Sequence, residues 1–232
     1  MPPTLRTPLI LLLLFFSHAA SPAPTDSIEQ RVLACTACHR LQDYQGTDAY
    51  YPRIAGKPAG YLYNQLLNFR EGRRHYSLMT YLVDHLSDSY LDEIAHHFST
   101  VQAPYESPRP TNVSEPVLAQ GRAMALFGDK ARQLPACVSC HGQTLMGIEP
   151  AIPGLLGLRR EYLAAQLGAW RSGVRRAHAP DCMADIAKRL QEPDIVALSA
   201  WLAFQPVPPG AKPEIQLPDL PLECGTAKGA LK

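Results

Sequence analysis

Two short runs of the chain carry residues spaced for chemistry: Cys35-Thr36-Ala37-Cys38-His39 and Cys137-Val138-Ser139-Cys140-His141. Two thiols three positions apart lie on one helical turn and can add to the two vinyl groups of a single haem. The histidine that follows places an imidazole beneath the iron. Covalent attachment fixes the porphyrin and keeps it in a small domain. A thioredoxin-like dithiol would require a βαβ context, and a zinc site built from two cysteine pairs would not require a histidine after each. The two copies therefore imply two covalently attached haem c groups with iron, His39 and His141 being the first axial ligands.

An iron held by histidine needs a sixth ligand, and methionine is the partner that raises reduction potential for electron transfer. Met79 is the only methionine after the motif in the first half, and Met183 follows His141 at nearly the same distance. Met146 lies five residues past His141, too close to reach the opposite haem face, and Met124 precedes its motif. His75 or His85 in the first half, and His178 in the second, remain alternative sixth ligands that would give lower potentials. Four cysteines used by haem leave Cys182 and Cys224 as a candidate disulfide. That bridge would tie the C-terminal tail beside the loop carrying Met183 and, by loop-closure entropy, stabilise by about 4 kcal/mol. Arg73-Arg74, Arg159-Arg160 and Arg175-Arg176 suit either haem propionates or solvated helix ends.

The elements that position these residues come in duplicate. Besides the motifs, Tyr61-Leu62, Gln65-Leu66, Arg70, Gly72 and Arg74 match Tyr162-Leu163, Gln166-Leu167, Arg171, Gly173 and Arg176. Further on, Met79, Leu86 and Phe98 match Met183, Leu190 and Leu202. The stretch 103–116 holds Pro104, Pro108, Pro110 and Pro116 among polar residues and reads as an extended, semi-rigid linker. Asp26 and Glu29 suggest a capping box opening a helix that runs to the first cysteine pair. Leu62, Leu66 and Phe69, and again Leu163, Leu167 and Trp170, recur at i, i+4 and i+7, with Gly72 and Gly173 as helix stops. A last helix is expected from Asp88 in the first unit and from Pro193 to Pro206 in the second. No convincing alternating strand is present, so the fold class is all-α. Its organisation is residues 21–102, linker 103–116, residues 117–205 and a tail 206–232.

Residues 1–20 read as a secretory signal. Arg6 precedes the apolar run Leu9 to Phe16, followed by the small residues Ser17, Ala19, Ala20 and Ser21, with cleavage expected near Ala19 or Ala20. The run is far short of the roughly 20 residues of a membrane-spanning helix. The net charge of +1 offers no field for nucleic acid. The halves differ in sign: residues 20–116 hold 8 Lys and Arg against 11 Asp and Glu, and residues 117–232 hold 13 against 10.

With these features together, the chain resembles the cytochrome c4 family, periplasmic proteins of two tandem class I cytochrome c domains. The resemblance covers roughly residues 28–205 and includes Tyr51-Pro52-Arg53-Ile54-Ala55-Gly56 and Tyr61-Leu62 through Gly72-Arg73-Arg74 and Met79. It implies that Pro52 and Pro150 each offer a backbone carbonyl to a proximal histidine. Two departures set the first unit apart: Arg40 stands where a glycine usually follows the motif, and His97 where the second unit has Trp201. The implied role is electron carriage in the periplasm, between partners such as a quinol-oxidising complex, a terminal oxidase or a dehydrogenase, compatible with loose association at a membrane surface. The alternative is the haem subunit of a dehydrogenase or diheme peroxidase. A peroxidase or a gas sensor needs an open iron, whereas both units offer methionine.

Overall fold

The computed structural model describes residues 26–39, 51–108, 112–216 and 218–228; the leader at 1–20, Arg40 and Pro110 lie outside them. The first unit opens with α1 (Ile28–Arg31), whose N-cap is Ser27, accepting the Gln30 N–H at 3.4 Å. Asp26, expected at that place, instead pairs with Arg31 at 2.6 Å. The helix is not continuous to the cysteines. At Val32 the backbone leaves α geometry (φ −93°, ψ 5°) while the side chain enters the core beside Ile94 and Phe98, and α2 (Leu33–Thr36) then carries Cys35.

Three helices complete this unit: α3 (Ala59–Arg70), α4 (Ser77–Val83) and α5 (Asp88–Thr100). Ser87 caps α5 by accepting the Tyr90 N–H at 3.2 Å. Packing of α3 on α5 buries Leu62, Ile94, Ala95 and Phe98. A second cluster joins Leu67, Phe69, Val83 and Leu91, with Met79 packed against it. Full burial of a side chain such as Phe98 or Leu91 contributes about 1.5–3 kcal/mol, so these contacts set where α4 sits. Gly72 and Gly173 take φ of 68° and 76° just after α3 and its counterpart, which suits glycine and ends each helix.

The second unit begins with α6 (Glu115–Phe127), two residues inside the stretch expected to be linker. Pro116 is accommodated in the first turn, where no intrahelical N–H bond is lost. It continues with α7 (Val138–His141), β1 (Gly147–Ile148), β2 (Ile152–Pro153), α8 (Arg160–Arg171), α9 (Cys182–Arg189) and α10 (Glu192–Phe204). The small antiparallel hairpin pairs Gly147 with Pro153 and Ile148 with Ile152; strands of two residues leave no alternation for a sequence reading to find. Helix α6 crosses α10 at Gly121, where a Cβ would lie 2.2 Å from the Ala197 carbonyl oxygen. The core between them and α8 includes Leu118, Met124, Leu163, Ile195, Leu198, Trp201 and Leu202. Pro193 lies in the first turn of α10, and the Asp194 carboxylate accepts the Gln191 N–H at 2.8 Å.

The linker is pinned to both units. Arg53 donates to the carbonyls of Pro104 at 2.7 Å and Ala103 at 2.6 Å and lies 3.9 Å over the Tyr105 ring, while Tyr105 packs on the second core.

Candidate haem-binding sites

The two motifs adopt one geometry. In the first, the N–H groups of Cys38 and His39 donate to the Cys35 carbonyl at 3.2 and 2.8 Å. In the second, those of Cys140 and His141 donate to the Cys137 carbonyl at the same 3.2 and 2.8 Å. Both thiols of each pair therefore sit on one turn beside their histidine. Burial pushes the Cys137 thiol up to about 12 and raises that of Cys35, which is opposite to the activated thiolate of a redox dithiol. Among the described residues no three His, Cys, Asp or Glu side chains are grouped to hold a metal ion by themselves, so the cysteine pairs do not converge on a zinc site.

Each proximal histidine meets a proline carbonyl. His39 Nδ1 lies 2.8 Å from the Pro52 oxygen, and His141 Nδ1 lies 2.8 Å from the Pro153 oxygen. A carbonyl only accepts, so Nδ1 carries the proton and Nε2 keeps a free lone pair for a metal. Burial also lowers the pKa of both imidazoles; the proline carbonyls oppose it, and the charges of Arg74 near His39 and Lys57 near His141 reinforce it. The neutral, ligating form is favoured.

Pro153 replaces Pro150, the residue expected in this role. Pro150 stands in the hairpin turn, and its carbonyl accepts the Gly60 N–H of the first unit at 3.0 Å. The spacing held the signal: Pro52 is 13 residues beyond His39 and Pro153 is 12 beyond His141.

Met79 lies on α4, partly buried. Met183 is partly buried in the first turn of α9, not in a loop, because Asp181 caps that turn by accepting the Ala184 N–H at 3.0 Å. Cys182, directly before it, is bonded to Cys224. Among the other imidazoles, His85 is 93% exposed, and His178 Nε2 accepts from Arg73 at 2.6 Å. Met146 and Met124 are buried in the second core.

The arginine pairs divide. Arg73 pairs with Glu71 and Asn68, Arg159 lies 3.9 Å from Glu106, and the Arg176 N–H donates to the Arg73 carbonyl at 2.7 Å. Arg74 and Arg175 meet instead between the units. Arg74 donates to Gln65 at 3.0 Å, Tyr162 at 2.9 Å and Gln166 at 3.2 Å; Arg175 donates to Gln166 and to Gln65, the latter at 2.8 Å. Arg74 covers the Phe69 ring at 4.6 Å, and Arg175 covers Trp170 at 3.7 Å. Burial, with repulsion from Arg74, pushes the Arg175 guanidinium down to about 10. Among the described residues no carboxylate lies within 4.0 Å of either guanidinium, and the buried Trp170 Nε1 has no hydrogen-bond partner. Buried cations, one of them acting on His39, and an orphan donor on the neighbouring Trp170 fit a group that brings its own carboxylates, as haem does with its propionates. Lys57 also crosses the boundary, donating to the Gly154 carbonyl at 3.0 Å, one residue past Pro153. Gln65, Gln166, Tyr61 and Tyr162 were visible as duplicated positions, and Trp170 as the counterpart of Phe69 on the repeated helix, whereas Lys57 carries no signal before the two units are docked.

No protein-family model matches the chain. It is 32% identical over 191 residues to a thiosulfate dehydrogenase electron acceptor of Thiomonas intermedia (82% of this chain, 87% of the relative). It is 33% identical over 196 residues to cytochrome c4 of Pseudomonas aeruginosa (84% and 94%). Among solved structures, reduced cytochrome c4 from Pseudomonas stutzeri superposes with a TM-score of 0.64 at 29% identity, covering 75% of this chain and 95% of that one. Thiosulfate dehydrogenase (TsdBA) from Marichromatium purpuratum gives 0.65 at 34% identity over 75% of this chain, which spans only 36% of that longer protein.

Proposed function

The chain belongs to the cytochrome c4 family of two-haem electron-transfer proteins, and from that premise we propose which residues hold its two covalent haem c groups and where it works. Cys35 and Cys38 bond the first haem, with His39 and Met79 on its iron. Cys137 and Cys140 bond the second, with His141 and Met183. The domains are residues 21–102 and 115–205, the second opening with α6, and the protein works in the periplasm as a carrier rather than as an enzyme in its own right. When bound, each haem supplies a one-electron ferric/ferrous couple. The chain's own residues orient and insulate. Pro52 and Pro153 fix the tautomer of each histidine, the two cores exclude water, and Arg74, Arg175 and Trp170 offer donors to the propionates. The matched pair of histidine–proline hydrogen bonds, both 2.8 Å, supports this reading most directly.

Potentiometric titration of the purified holoprotein tests it: two low-spin couples with no turnover of hydrogen peroxide are expected. A high-spin iron, or peroxide turnover at an enzymatic rate, would reject the carrier in favour of a peroxidase.

A narrower reading has the dehydrogenase as electron donor. It is favoured by the relative named for accepting electrons from thiosulfate dehydrogenase. Mixing the oxidised protein with such a dehydrogenase and thiosulfate should reduce both haems within the enzyme's turnover time; reduction no faster than with thiosulfate alone would reject that partner.

A further inference from the structure

The second unit has a strap that the first lacks among the described residues. After α10 the chain runs back across the hairpin. The Glu214 N–H donates to the Gly147 carbonyl at 2.9 Å, and the Glu214 carbonyl accepts the Glu149 N–H at 2.7 Å. Its carboxylate accepts the Gln143 N–H at 2.6 Å, two residues past His141. Leu220, Cys224 and Ala227 then pack on Ile148 and Ile152, the hairpin that presents Pro153 to His141. The Gly225 N–H donates to the Pro180 carbonyl at 2.9 Å, and Cys224 is joined to Cys182, the residue before Met183. Finally the Thr226 carbonyl accepts from Asn64 of α3 at 3.4 Å, anchoring the strap on the first unit. One segment thus grips the histidine side and the methionine side of the second site together. In the first unit, by contrast, α4 around Met79 shows Tyr76, Leu78 and Tyr81 to solvent, with Tyr81 78% exposed.

We propose that this strap, closed by Cys182–Cys224, is the positioning device that holds Met183 on the second iron, so that opening the bridge changes the ligation and potential of the second haem alone. The inference rests on Met183 being the sixth ligand. A short helix such as α9, of eight residues, is marginal by itself. Its first turn has the Asp181 cap, and from outside the helix it is tied by the bridge and by the contact of Gly225 with Pro180.

The test uses intact holoprotein. Treat it with a phosphine reductant and iodoacetamide, confirm two alkylated cysteines by mass spectrometry, reoxidise the irons with ferricyanide, and record the near-red methionine–iron band and both potentials. The expected result is loss of about half the band and a fall in one potential, the other staying in place. A Cys182→Ala/Cys224→Ala double variant should reproduce it. Alkylated protein with the full band and both potentials unchanged would overturn the inference, even if its melting temperature fell, since the bridge would then be a staple only. A wrong ligand reading fails separately: untreated protein would already lack one methionine band.

Discussion

Arg74 and Arg175 stand at matching places in the two units, each backbone N–H donating at 2.9 Å to the carbonyl six residues back, so Arg175 and not Arg176 is the counterpart of Arg74; both bind the same two glutamines, Gln65 and Gln166, one from each unit. The boundary between the units is thus a near-symmetric polar cluster. Its two cations lie together with neutral partners in a setting that ordinarily demands a counter-charge.

Replacing Arg175 by Gln should lower a haem potential, because removing a buried cation favours the ferric state. The size is on the order of 1 kcal/mol, or about 40 mV for a one-electron couple. Arg175→Lys, which keeps the charge but loses the planar fork, should retain most of the potential while losing stability. Redox titration and thermal unfolding of both variants check this, and equal potentials in all three proteins would contradict it.

The Gly121 crossing can be tested against a glycine in open space. Gly121→Ala places a methyl 2.2 Å from the Ala197 oxygen and 2.8 Å from Trp201 Cβ, whereas Gly168 on α8 has nothing within 4 Å. Gly121→Ala should destabilise by about 1–3 kcal/mol or more as α6 and α10 are forced apart. Gly168→Ala should stabilise by about 0.5–1 kcal/mol. Denaturant unfolding of the two holoproteins gives the sign directly.

Asp194 provides the acid-side prediction. Burial works to raise its carboxyl pKa, but the Arg132 guanidinium, the Gln191 N–H and Gln120 outweigh it and hold the group below its usual value of 3.8. A depressed carboxyl pKa stabilises the fold above the unfolded-state value, and that contribution is lost as pH falls through the folded-state value. Asp194→Asn should therefore cost about 1–3 kcal/mol at pH 7, and its gap from the wild type should close as pH drops below about 4. Unfolding measured from pH 7 to pH 2 shows whether the gap closes; a gap independent of pH would assign the loss to packing.

Much of this arrangement was legible in the sequence because duplication writes each feature twice. The thiol–imidazole turns, the helices ended by Gly72 and Gly173, and the final helix opened at Pro193 all follow from local rules of spacing, caps and stops. What escaped depends on contacts far apart in the chain. Helix α6 has caps and apolar positions of its own, yet its register is set by the Gly121 crossing with α10. The hairpin is too short to alternate, and it decides that Pro153, not Pro150, faces His141. Lys57 serves the opposite unit, so nothing local marks it. Val32 bends the first helix because the core claims its side chain.

Every role assigned to the other residues depends on Cys35/Cys38 and Cys137/Cys140 each anchoring one haem. Intact-mass analysis of mature protein, unfolded in acid to strip any unattached porphyrin, measures this directly. The expected product is a polypeptide heavier by two haems, falling to one in Cys35→Ser/Cys38→Ser and to one in Cys137→Ser/Cys140→Ser. Wild-type protein carrying a single haem, or none, would contradict it.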